Sequence, residues 1–279
     1  MKHDIRLISV DMDGTFLNPK GKVSSNNLEA VKKAQQAGII FSIATGRFYE
    51  NAAIGVLDMG LDCPIIALNG AKISAAPMGP VIANHYMSIE SAMEAYGVLE
   101  EQNAAYYVFA DKLVGIRSHK DTHHSQLEYG DERMLNETGT RFLYGKDACL
   151  ELIEKGIYKF YVHAYENVPM LARIKTALQN EAKLSVLTQS SFSNIEIMPP
   201  NVDKGSGIME LAKYLNIPLN QVMAIGDQEN DLPMLIKAGL GVAMGNASQI
   251  VKDNSDVMTL SNAHDGVAHA IYTYALGQA

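Results

Sequence analysis

Two aspartates separated by one residue, Asp11 and Asp13, run directly into Gly14 and Thr15. Carboxylates at this spacing can divide three tasks between them. One can attack an electrophile, the other can give or take a proton, and their oxygens can hold a hard cation. The same stretch also suits a plain acidic turn after a strand, because Asp and Gly both favour turns. Further along, Thr45-Gly46-Arg47 offers a hydroxyl and backbone N–H groups where a helix should start, a small cradle for an anion. Taken alone, Thr45 reads as a helix N-cap. Lys204 stands just before a helical run and can point at a phosphate, or simply lie on the surface. The last group is Gly226-Asp227-Gln228-Glu229-Asn230-Asp231. With a helix beginning between them, Asp227 and Asp231 bring two carboxylates towards one point, and such oxygen ligands suit magnesium. Acidic helix capping is the plainer alternative.

The elements around these residues decide whether they meet. Leu7–Val10 is a short apolar run, fit for a buried strand that ends at Asp11. Asn26 with Glu29 three residues on predicts a helix start, and Gly38 its stop. Strands are expected over 39–44 and 64–68, with a helix over 48–57 between them. Residues 222–225 predict another buried strand, 232–238 a helix and 241–244 a further strand. Short apolar strands alternating with amphipathic helices imply an α/β fold, a parallel sheet with helices on both faces. In such sheets ligands gather beyond the carboxyl ends of the strands, where the acid pair, Thr45 and the acid cluster all fall.

Between about residues 85 and 190 the texture changes. This stretch holds most of the tyrosines, among them Tyr106, Tyr107, Tyr158, Tyr161 and Tyr165, and a histidine cluster, His119, His123 and His124. Strands are expected over 106–110, 113–117 and 158–164, and helices over 89–102 and 169–180. This reads as an α+β insertion (85–190) into a core made of 1–84 and 191–279. The three histidines lack an evident fourth metal ligand and read as a solvated helix face.

Composition narrows the classes. The chain has 279 residues, enough for two modest domains, and a formal net charge of −8. Nucleic acid and anionic membrane are poor partners for such a chain, since binding there needs clustered Lys and Arg. No apolar run approaches the roughly 18 residues of a membrane span. The two cysteines, Cys63 and Cys149, form no C-x-x-C pair and read as reduced, buried thiols of a cytoplasmic protein.

The order of the motifs carries more than any one of them. Asp11-Met12-Asp13-Gly14-Thr15, Ala44-Thr45-Gly46-Arg47, Asn69-Gly70-Ala71, Lys204-Gly205, Gly226 to Asp231 and Gly241 to Ala247 together resemble the haloacid dehalogenase superfamily of phosphatases. Within it the resemblance is to the Cof-type sugar-phosphatase branch. It spans both core segments, and the insertion matches the branch's cap in position and length. The resemblance implies Asp11 as a nucleophile that becomes an aspartyl phosphate, and Asp13 as general acid and base. Thr45 and Lys204 would contact the transferring phosphoryl group. Magnesium would sit on Asp11, the backbone carbonyl of Asp13 and Asp227, with Asp231 orienting that shell or binding through water. Asn230, Gly46, Arg47 and Asn69 become substrate-binding candidates, Arg47 and Asn69 at strand ends on the cap side. The implied partner is a small phosphorylated metabolite, chosen by the cap, and the protein is expected as a monomer or small homo-oligomer. A phosphotransferase or phosphomutase using the same aspartate, a phospho-accepting receiver and a non-catalytic sugar-phosphate binder remain open alternatives.

Overall fold

The computed structural model describes residues 4–117, 131–163, 167–189 and 193–277. His119, His123, His124 and Tyr165 lie outside the described residues. In chain order the strands are β1 (Leu7–Asp11), β2 (Ile40–Ala44), β3 (Ile65–Ala67), β4 (Lys72–Ser74), β5 (Val81–Asn84), β6 (Ala105–Ala110) and β7 (Leu113–Ile116). They continue as β8 (Arg141–Tyr144), β9 (Lys159–His163), β10 (Val186–Thr188), β11 (Asn194–Met198), β12 (Val222–Gly226), β13 (Leu240–Ala243) and β14 (Val257–Met258). The chain divides into two compact units, Met1–Asn84 with Val202–Ala279, and His85–Asn201.

The larger unit carries an eight-stranded sheet in the order β14-β13-β12-β1-β2-β3-β4-β5. Its pairs from β14 to β3 are parallel. The β3–β4 and β4–β5 pairs are antiparallel, so the sheet is mixed and not wholly parallel as the apolar pattern suggested. Over residues 71–84 the apolar side chains are interrupted by Pro77, Gly79 and Pro80, and the strands form only at the edge of a sheet built by the others. Every residue of β1 and β12 is buried, which explains why these strands read as unbroken apolar runs.

Helix α1 (Ser25–Gln36) starts two residues earlier than Asn26 suggested. Its N-cap is Ser24, whose hydroxyl accepts from the Asn27 N–H, and Gly38 follows its end at φ 82°. Helix α2 (Tyr49–Asp58) follows β2. Asn27 is buried on α1 and accepts a 2.9 Å hydrogen bond from the Ala268 N–H, which ties the C-terminal segment to the first helix.

The smaller unit carries a six-stranded sheet, β10-β11-β9-β6-β7-β8, antiparallel except for β7–β8. Its alternation is regular. Tyr106, Val108, Phe160, Val162, Ile195 and Ile197 point into one apolar core. That core is completed by helices α3 (Ile89–Glu101), α5 (Lys146–Lys155) and α6 (Val168–Glu181); α4 (Asp131–Thr138) lies between β7 and β8 in sequence. The intervening residues Tyr107, Lys159, Tyr161, His163 and Glu196 share the other face, where Lys159 pairs with Glu196 and Tyr107 stacks on His163. Because β11 belongs to this sheet, the chain returns to the larger unit at Val202, not at the expected residue 191. Strand 194–198 lies beyond the boundary expected from sequence, and its pairing with β9 is a long-range fact.

Replacing Asn27 with Ala strands the buried Ala268 N–H. A loss of about 1–3 kcal/mol in urea unfolding is expected, with the urea dependence (m-value) unchanged.

Candidate active site

Asp11 is the last residue of β1, Ala44 of β2 and Gly226 of β12, three neighbouring strands, and Thr45 and Asp227 follow directly. Register sets them side by side: Asp11 pairs with Ala44, and Val10 with Ile225. The parallel strands therefore deliver these side chains to one edge. Lys204 opens helix α7 (Lys204–Tyr214), whose first turn is fixed by a reciprocal box between Asp203 and Ser206. That start aims Lys204 inward. Its Nζ donates to Asp11 Oδ1 and to Asp231 Oδ1, each at 2.6 Å, and the residue is 1% exposed. It is not the surface lysine that its position alone allowed.

Asp11, Asp227 and Asp231 are all buried, with one carboxylate oxygen from each lying within 4.8 Å of the others. Asp231 precedes helix α8 (Leu232–Lys237), and its Oδ2 accepts from the N–H groups of Asp227 (2.9 Å) and Gln228 (3.0 Å). Both Asp231 oxygens are thus engaged, and the residue braces the strand end. Asp227 takes the Thr15 hydroxyl on Oδ1 at 2.7 Å and the Gln228 amide on Oδ2 at 3.2 Å. Neither Thr15 nor Gln228 was assigned a role from sequence. The signal for Thr15 was its place in the Asp-Gly-Thr run, which shows what it follows but not what it touches.

Burial, and then the charge on Asp231, push the Asp11 carboxyl well above the usual carboxylate range, with Lys204 pulling against them. Asp227 is pushed up to about 6 by burial and by Asp231, opposed by its hydrogen bonds from Thr15 and Gln228. Burial would lower the Lys204 pKa, but the Asp11 and Asp231 carboxylates outweigh it and hold the ammonium above its ordinary value. Lys204 is bonded within a cluster of three carboxylates, so the cluster, when ionised, carries excess negative charge. A small divalent cation with oxygen preference would offset it, and the all-carboxylate donor set fits magnesium.

The Asp13 carboxylate stands apart from this group. Arg47 forks it, with Nε to Oδ2 at 2.7 Å and Nη2 to Oδ1 at 2.6 Å, and the Asp13 side chain is half exposed. Two parallel charge-assisted bonds fix its direction. Thr45 is buried and accepts the Arg47 N–H at 3.1 Å, so it shapes its own loop and does not cap α2, whose N-cap is Phe48. The Asn69 N–H donates to the Thr45 carbonyl, and Asn230 donates its amide to Asn69 Oδ1 at 3.2 Å. Gly46 lets that asparagine close in, for a Cβ there would stand 3.1 Å from Oδ1. The structure thus draws Thr45, Gly46, Arg47, Asn69 and Asn230 into one chain of contacts beside Asp13.

The haloacid dehalogenase-like hydrolase model matches residues 8–271. The chain belongs to that family. This hydrolase is 31% identical to the phosphatase YwpJ of Bacillus subtilis, across 95% of its own length and 98% of that protein's. It is 32% identical to the B. subtilis 5-amino-6-(5-phospho-D-ribitylamino)uracil phosphatase YwtE, across 98% and 99% of the two chains. The solved structure of a haloacid dehalogenase-like hydrolase from B. subtilis superposes with a TM-score of 0.80 at 30% identity, covering 96% and 99%. Among the described residues, no helix is long and apolar enough to cross a membrane.

Two outcomes follow for the hydrolase. Asp227 has a folded pKa raised from 3.8 to about 6, so its stabilising share is full below the lower value and lost as pH rises through the upper one. Thermal midpoints of the chelator-treated protein should fall across that window, and saturating magnesium or Asp227→Asn should flatten the slope. Gly14 sits at φ +84°, and a Cβ on it would lie 2.4 Å from Asp227 Oδ2. Gly14→Ala should therefore displace that carboxylate and cut turnover at least about tenfold, with about 1–2 kcal/mol of backbone strain read in the unfolding midpoint.

Proposed function

We propose that this hydrolase is a magnesium-dependent phosphomonoesterase of small soluble phosphate esters, sugar phosphates among them. The observation that carries the reading is Asp11: a buried carboxylate at the end of β1, held by Lys204 and set among two further acids. In the first step an Asp11 oxygen attacks phosphorus, the bond from phosphorus to the leaving oxygen breaks, and Asp13 gives that oxygen a proton. In the second step Asp13 takes a proton from water, the water oxygen attacks phosphorus, and the bond from phosphorus to Asp11 breaks. Thr45 and Lys204 hold the transferring group, with Lys204 balancing its charge, and Gly46, Arg47, Asn69 and Asn230 line the substrate side. Magnesium, held by Asp11, Asp227 and the Asp13 backbone carbonyl with Asp231 bracing the set, would offset charge on the phosphoryl oxygens. Positioning and electrostatics supply most of the catalysis in such transfers.

The insert is assigned the choice of substrate, as a cap. The same reading places the enzyme in the cytoplasm, as a monomer or small homo-oligomer acting on phosphorylated metabolites. The two buried free thiols support the cytoplasmic placement.

The test is phosphate release from sugar phosphates, a phosphoribitylamino pyrimidine and para-nitrophenyl phosphate, with and without magnesium. Release should require the metal and fall at least about a thousandfold in Asp11→Asn. Asp13→Asn should lose far more on sugar esters than on para-nitrophenyl phosphate, whose leaving group needs little help from a proton. Release that ignores magnesium, or that survives Asp11→Asn, removes the proposal.

A further inference from the structure

Asn246 lies in the loop after β13 and belongs to none of the roles above. Its Nδ2 donates to the Gly14 carbonyl at 2.8 Å and lies 3.4 Å from Asp227 Oδ2. Its Oδ1 accepts the Asn262 N–H at 2.9 Å. Asn262 in turn donates its own amide to the Leu17 carbonyl at 2.9 Å. Two asparagine amides therefore hold the turn between Asp13 and Leu17 at both of its ends. One of them also touches the carboxylate that the turn leans on.

We infer that Asn246 is a positioning residue for the metal site, setting the Gly14 peptide and the Asp227 carboxylate relative to each other. The inference rests on the reading that Asp227 and the Asp13 carbonyl hold magnesium. Those two groups come from different parts of the chain, and their spacing must be kept to a few tenths of an ångström for a small ion with strict geometry. Thr15 fixes one Asp227 oxygen from within the turn itself. Asn246 approaches the other from outside it and is anchored in turn by the Asn262 backbone. Partners of this kind, one step out from a ligand, usually change metal affinity by about 10–100-fold when removed.

The loop is also held by bonds that do not use the Asn246 side chain. The Met244 N–H donates to the Gly226 carbonyl, the Gly245 N–H to Leu260 and the Ser248 N–H to Asp227, all through backbone. Asn246 is also exposed. Substitution should leave the fold in place, which separates a positioning role from a packing one.

The experiment measures magnesium binding to the metal-free full chain by calorimetry, alongside the magnesium half-saturation of para-nitrophenyl phosphate hydrolysis and the metal-free thermal midpoint. Asn246→Ala and the near-isosteric Asn246→Leu should both weaken magnesium about tenfold, with the midpoint moving less than about 2 °C. Asn262→Ala keeps the backbone bond to Asn246 and should show a smaller loss. Wild-type affinity in both Asn246 variants, within twofold, would overturn the inference. So would a drop in the metal-free midpoint matching the whole loss in free energy, which would make Asn246 a packing residue. Failure of the wild type to bind magnesium would instead overturn the reading of the site, and this inference with it.

Discussion

Three buried carboxylates share one buried lysine, and the larger unit is organised around making that arrangement tolerable. Like charges at this separation repel strongly where water is excluded, and an unpaired buried charge costs several kcal/mol. The chain answers with directed donors: Lys204 between Asp11 and Asp231, two backbone N–H groups on Asp231, and the Thr15 hydroxyl with the Gln228 amide on Asp227. These donors offset burial and repulsion without cancelling them, so burial first and the Asp231 charge second still shift the Asp11 and Asp227 carboxyls upwards. A site left short of positive charge is suited to draw in a cation and a phosphate together.

Such a cluster needs rigid supports, and the sheet supplies them. β1, β2 and β12 lie side by side near the middle of eight strands, so the residues at their carboxyl ends inherit the register of the pairs. Lys204 comes from elsewhere, and the reciprocal capping by Asp203 and Ser206 sets the helix start from which it points. Asp13 sits two residues beyond β1 in a turn that already departs from the strand, and its direction comes from a guanidinium on the neighbouring loop.

The inserted unit is built on a different rule. Its sheet alternates cleanly, with apolar residues packed under helices on one face and Tyr107, Lys159, Tyr161, His163 and Glu196 on the other. A buried ion pair between Lys159 and Glu196 is weak evidence for stability, since desolvation offsets much of its attraction. Packing alone does not require it.

By itself the sequence determined the order of motifs, the buried parallel strands and the family they resemble, because apolar runs and short acidic motifs are local signals. Asp11 and Asp227 could be expected from where strands end, whereas the position of Lys204 left a surface side chain open and only the family resemblance pointed it at the site. Other features depended on contacts far apart in the chain. Lys204 on Asp231, Arg47 as the clamp on Asp13 and Thr15 on Asp227 each link residues by hydrogen bonds that no local pattern encodes. The same holds for the antiparallel edge made by β4 and β5, and for β11, which the expected boundary left in the core and which pairs within the insert. Pairing is a property of two segments at once, so only the tertiary structure could decide which strands and side chains meet.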